Sequence, residues 1–119
     1  KEAIKWYQLA ADQGYRIAQN KLGNLFFYGK VGVIQHYKEA IKWYQLAADQ
    51  GDSSSQNMLG IIYRDGNGVT QDKVLAHMYF NIATSNGSEE AMKNRNKIET
   101  VMSSEQIISA QDRARIHGK

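Results

Sequence analysis

The sequence predicts an all-α chain, a solenoid of stacked helix–turn–helix units closed by a C-terminal capping helix. Three observations carry that prediction. The stretch KEAIKWYQLAADQG occurs twice without change, at Lys1–Gly14 and Lys38–Gly51, an offset of 37. Repeats of this period mark helical arrays, because one short hairpin cannot bury its apolar face alone and stacking supplies the missing partner. Within the stretch, Ala40, Trp43, Tyr44, Ala47 and Ala48 follow the i, i+3, i+4, i+7, i+8 spacing of one helix face, with Lys38, Lys42, Gln45 and Asp49 opposite. The chain also lacks proline, so no helix interior is forced to break.

Taken in order, residues 1–14 form a Trp-Tyr helix, here named type B, without a partner helix before it. Residues 15–51 form a full unit. Its first half, AQNKLGNLFFYGKVGV (Ala18–Val33), is a Leu-Gly helix, type A, and its second half is the second copy of the B helix. Residues 52–87 repeat the plan with SQNMLGIIYRDGNGV (Ser55–Val69) and the weaker copy AHMYFNIATSNG (Ala76–Gly87), at an offset of 36 because the turn is one residue shorter. There Tyr79, Phe80, Ile82 and Ala83 stand for Trp43, Tyr44, Leu46 and Ala47. Gly14, Gly51 and Gly87 follow the last periodic residue, where a left-handed residue ends a helix. Gly29/Gly32 and Gly66/Gly68 mark the A-to-B turns.

Gly23 and Gly60 lie inside the A helices instead. A mid-helix glycine costs about 1 kcal/mol relative to alanine. Its recurrence after leucine is expected to admit the aromatic pair of helix B at close range. Residues 88–119 read as a terminal cap. From Arg95 onward the Leu-Gly signature is lost. Ser103 and Gln106 fit a capping box that opens a last helix. Ile107, Ala110 and Ala114 give that helix an apolar stripe, with Glu105, Asp112, Arg113 and Arg115 elsewhere, as the polar-backed end of a solenoid requires. The whole is expected to be one domain, a piece of a longer array, since it begins inside a repeat and without Met.

The combined pattern of Ala-Gln, Leu-Gly, an aromatic, Gly-x-Gly-Val, Trp-Tyr and Ala-Ala-x-Gln-Gly resembles the Sel1-like repeat family, relatives of the tetratricopeptide repeats. The tail Met102–Lys119 is similar to the closing helix of many bacterial arrays of this kind. The resemblance implies a right-handed α/α superhelix. It also implies a non-enzymatic scaffold or adaptor for a protein or peptide partner, as in signalling, secretion-related and host-interaction settings. Two departures stand out. His36 occupies the place where the pattern prefers the Asp seen at Asp72, and the disulfide found in each repeat of many bacterial members cannot form here.

Composition narrows the functions. The 119 residues suffice for one domain with a modest core, and 42% apolar with 23% charged residues is ordinary for a globular chain. The net charge of +3 is small and its signs are interspersed, which gives no footprint for nucleic acid. No apolar run reaches the length of a membrane-spanning helix, so direct membrane insertion is not expected. Without cysteine there is neither a disulfide framework nor a thiolate for zinc or nucleophilic attack. Nothing assigns a compartment.

No constellation for catalysis, cofactor or metal is read. His36, His77 and His117 show no i, i+4 pair. His77 replaces apolar Ile41 and is read as partly buried and hydrogen-bonded. The stretch RDGNGVTQD (Arg64–Asp72) lacks the glycine and closing glutamate of a calcium loop and reads as a turn. Gly66-Asn67-Gly68 has no preceding strand and so is no phosphate cradle. No nucleophile–base pair is visible. Trp6 and Trp43 read as core residues, and Asn86-Gly87-Ser88 as a helix end rather than a glycosylation acceptor.

A partner is expected on the row of A helices, the concave face in tetratricopeptide geometry. Three ladders project there: Asn20, Asn57 and Lys93; Asn24, Ile61 and Lys97; Phe27, Arg64 and Thr100. The expected binding residues are Asn20, Asn24, Phe27, Asn57, Ile61, Arg64, Lys93 and Lys97. Asparagine amides can bond an extended backbone, and the cations favour an acidic or C-terminal carboxylate ligand, although the pattern does not match the carboxylate clamp of the tetratricopeptide relatives. An ordinary solvated face is the plainer account of the same residues. The alternatives to a scaffold are a structural spacer within a larger protein and, behind it, a hydrolase or glycan-binding module. Val74 and Met78 replace two lysines of the polar stripe. Docking of the terminal helix there is preferred over a partner patch. Trp6 and Tyr7, lacking a preceding helix A, offer a surface for self-association.

Overall fold

Each periodic segment forms a helix. The computed structural model describes residues 2–29 and 35–117, and its helices are α1 (Glu2–Asp12), α2 (Arg16–Tyr28), α3 (Tyr37–Asp49), α4 (Ser53–Asp65), α5 (Lys73–Ser85), α6 (Glu89–Glu99) and α7 (Ser104–His117). Among the described residues there is no strand. The pairs α2–α3 and α4–α5 pack as hairpins, while α1 on α2 and α3 on α4 join one unit to the next, and α5 carries both α6 and α7. This is an all-α helical repeat solenoid, 48 × 26 × 21 Å along its principal axes, elongated because units stack in a line.

Helix starts follow from side chains that accept the orphan backbone donors of the first turn. Asp52 accepts from the Ser55 N–H and Asp72 from the Leu75 N–H, both at 3.0 Å. His36 does the same work in place of an aspartate, its Nδ1 accepting from the Glu39 N–H at 3.1 Å. The capping box of α7 is reciprocal: the Gln106 N–H donates to Ser103 Oγ at 3.1 Å and the Ser103 N–H to Gln106 Oε1 at 2.9 Å. At the α4–α5 turn Gly66 adopts φ +73° and donates to the Ile62 carbonyl at 2.8 Å, which ends α4. Gly32 of the preceding turn lies outside the described residues.

The interior is organised by aromatic rings seated on glycine. Tyr44 and Phe80 are fully buried. A Cβ placed on Gly23 would stand 2.6 Å from two ring carbons of Tyr44, and one on Gly60 would meet the Phe80 ring closer still. The aromatic that needs the glycine is thus the second of each Trp-Tyr pair. The first bridges units: Trp43, 4% exposed, packs with Ala11 of α1 and with Ala18 and Leu22 of its own unit, and its indole N–H donates to Glu39 at 3.0 Å. Trp6, identical in local sequence, is 68% exposed.

Seams between units carry polar contacts as well as the apolar clusters. Gln19 and Gln56, the glutamines of the two Ala-Gln and Ser-Gln motifs, are buried and donate to the Ala11 and Ala48 carbonyls of the preceding B helix, at 3.2 and 3.0 Å. Gln50 and Asn86 donate in turn to the Oε1 atoms of Gln19 and Gln56, at 2.8 and 3.0 Å. Asn20 donates to Ser55 Oγ at 2.9 Å, and Ser55 donates to Asp52 at 2.6 Å. One unit later Asn94 donates to Asn57 Oδ1 at 3.0 Å.

The terminal helix closes the last hairpin with buried Ala110 and Ala114. Met78 is buried in the cluster that holds Ala114, and Val74 packs on the cluster that holds Ala110 and Met102. The apolar replacements at Val74 and Met78 therefore serve intramolecular docking, and they are not a free partner patch.

Two outcomes follow from this packing. Gly60→Ala is expected to lower stability by about 1–3 kcal/mol through overpacking against Phe80, outweighing a helix-propensity gain of about 1 kcal/mol; urea unfolding measures the difference, and a stabilised variant refutes the contact. The second concerns alkali. The Tyr44 hydroxyl donates to Asn24 Oδ1 at 2.6 Å, and burial, helped by Tyr28, pushes its pKa well up. Burial likewise raises that of Tyr79. The folded state then holds phenol protons that the unfolded chain releases near pH ~10, so stability is level below that pH and falls as pH rises above it. Tyr44→Phe should lose less stability between neutral pH and pH ~11 than the parent, as read from denaturation midpoints at both.

Candidate partner-binding face

The eight residues expected to meet a partner lie on α2, α4 and α6, and α2 and α4 touch directly. Their surroundings differ. Asn20 and Asn57 are buried, and their amides are engaged in the seam bonds to Ser55 and Asn94. Asn57 also donates to Glu90 at 3.4 Å. They sit between consecutive A helices, so they hold the row together and offer no free amide. Lys93, third in that ladder, is exposed.

In the second ladder Asn24 is half-buried, accepting from Tyr44 and donating to Asn20 Oδ1 at 3.3 Å. Ile61 is half-buried against both larger core clusters, and Lys97 is exposed. In the third, Phe27 packs edge-on to Tyr28 with ring centroids 4.8 Å apart and lies 5.4 Å from the ring of Tyr37. Arg64 forms a two-point pair with Asp65, Nε to Oδ1 at 2.9 Å and Nη2 to Oδ2 at 3.1 Å. That hydrogen bond is the main reason its pKa lies above the usual value. Thr100 is exposed and donates to the Lys97 carbonyl at 2.7 Å.

Arg64 and Lys97 are brought together in one cleft of about 240 Å³, lined also by Asp65, Gln71, Lys73, Asn94, Ile98 and Val101. Asn24 lines a different cleft, with Tyr7, Lys21, Leu25 and Tyr28. Lys73 and Val101 were invisible to ladders drawn along A helices, because Lys73 opens α5 and Val101 follows α6. Their only sequence signal is the change of residue type relative to the preceding unit.

The histidines and short motifs have structural partners. His77 is fully buried, more so than its sequence position suggests, because the end of α6 brings Glu99 Oε2 to 2.6 Å from its Nε2. Its Nδ1 is buried without a hydrogen-bond partner. The ring of His117 meets Tyr79 edge-on at 6.1 Å. Among the described residues no group of three His, Asp or Glu side chains converges as a metal site, and no helix is long and apolar enough to cross a membrane.

Comparison with known proteins agrees with this construction. A family model described as the Sel1 repeat matches residues 1–15, 16–52 and 53–88. No match is found among curated proteins. Among solved structures, a protective antigen of uropathogenic Escherichia coli displaying an SLR fold superposes with a TM-score of 0.91 at 35% identity, over 96% of this chain and 24% of that one. A Sel1 repeat protein from Oxalobacter formigenes superposes with a TM-score of 0.78 at 34% identity, over 99% of this chain and 50% of that one. The chain thus spans a quarter of the length of the first and half of the second. Three consecutive matches, falling on units whose rings are seated on helix glycines, show that this chain belongs to the Sel1 repeat family.

Proposed function

We propose that this chain is a non-enzymatic scaffold that binds an extended segment of a protein partner across the row of α2, α4 and α6, the concave side of the superhelix. Sel1 repeat proteins are generally protein-interaction scaffolds, and the finer assignment to this face is supported by one observation above the rest. Arg64 and Lys97, one residue from each of two successive A helices, line a common cleft, while the large B-helix aromatics of the full units are taken up by the core. The exposed Lys93 and Lys97 favour an acidic partner.

A second reading concerns association. Trp6 and Leu9 are 68% and 56% exposed, whereas Trp43 is covered by α1 and α2. Another helical unit, including one from a second copy of this chain, would cover Trp6 in the same way. Light scattering that shows a strict monomer at high concentration removes this reading.

For the main proposal, peptides selected on the chain should bind Asn24→Ala and Arg64→Ala several-fold more weakly, the loss about 1 kcal/mol for each removed polar contact. Thermal midpoints measured in parallel separate this from lost folding, since Asn24→Ala also removes the acceptor of Tyr44. Unchanged affinity in both variants rejects the face.

A further inference from the structure

We infer that the cleft between α4 and α6 receives an acidic side chain of the bound segment, held by Lys73 and Lys97 beside an apolar step of Ile98 and Val101. The inference rests on the proposed binding face and deepens it at one point. Its basis is a comparison of the chain with itself. One unit earlier, the positions of Arg64, Asp65 and Lys73 are held by Phe27, Tyr28 and Tyr37. There the rings of Phe27 and Tyr37 lie 5.4 Å apart and Phe27 meets Tyr28 at 4.8 Å, so aromatic packing fills the place. Likewise Lys97 takes the place of half-buried Ile61. In the last unit the aromatic plug is gone, and an open cleft of about 240 Å³ stands instead.

The charges in that cleft do not cancel. Arg64 is engaged by Asp65 through two hydrogen bonds. Lys73 and Lys97, from different helices, have no ion pair among the described residues. Three cations against one carboxylate on a partly apolar wall leave positive potential, which a walled recess concentrates. A carboxylate on a short aliphatic stem matches both parts, the oxygens toward the ammonium groups and the methylenes on Ile98 and Val101. A chain-terminal carboxylate offers the same two oxygens to the ammonium groups, and capped peptides separate it from a side-chain carboxylate.

The experiment uses hexapeptides selected from a display library on the whole chain, synthesised acetylated and amidated, with binding followed by fluorescence anisotropy. Acidic sequences should be enriched. The double variant Lys73→Ala/Lys97→Ala should weaken them about tenfold, as should replacing the peptide's key Glu or Asp by its amide, and the two losses should not add. Lys38→Ala, an exposed lysine elsewhere, should change nothing. Neutral binders, no acidic binder, an equal loss in Lys38→Ala, or binding that requires a free C-terminus each overturn the inference. Neutral binders weakened by Asn24→Ala would overturn the cleft and leave the wider face standing. Acidic binders that depend on the two lysines but ignore Asn24→Ala and Arg64→Ala would leave the cleft and reject the wider face.

Discussion

The structure depends on an absent side chain. Because Gly23 and Gly60 carry no Cβ, the rings of Tyr44 and Phe80 lie directly on the backbone of the neighbouring A helix. That contact sets how closely the two helices of a hairpin approach, and hence which side chains reach past the hairpin to the next unit. Trp43 closes a second cluster with Ala11 of α1 and with Ala18 and Leu22 of its own unit. Two adjacent aromatics on one helix thus belong to two different clusters, Trp43 to the one that reaches back to α1 and Tyr44 to the one that reaches forward to α4 and α5. A short array gains a continuous core from hairpins that could not bury it singly.

Across the seams, by contrast, much of the binding is polar. Buried glutamines at Gln19 and Gln56 take carbonyls at the end of the preceding helix, where a helix has acceptors to spare. Asparagine and serine then tie successive A helices together. Apolar contact is tolerant of sliding, whereas a buried amide left without its partner loses about 1–3 kcal/mol. The polar seams therefore discriminate against units docked one turn out of place. The same logic explains why asparagines on a nominally outward ladder disappear from the surface.

Much of the architecture was legible because repetition makes each position its own control. The hairpin halves, the mid-helix glycines and the docking of α7 on Val74 and Met78 followed from comparing copies, and the capping box at Ser103 from its spacing to Gln106. Less of the face was legible. Helical spacing put Asn20 and Asn57 on the row of A helices, but it carries no information about how near the next A helix lies, and that distance decides whether an amide is free. Nor can one helix's periodicity reveal a recess whose walls come from three elements, as with Lys73, Lys97 and Val101. The burial of His77 escaped for a related reason, since Glu99 lies 22 residues away on a different helix.

The seating of α7 on α5 also has a consequence for the flank it covers. Ala110 and Ala114 occupy the flank of α5 on which Met78 and Val74 lie, apolar where the same flank of α3 presents Lys38 and Lys42. The two apolar side chains at Val74 and Met78 thus answer the small alanines of α7, which let the closing helix lie close against α5. That flank of α5 is therefore closed by the chain itself, where the equivalent flank of α3 is left to solvent.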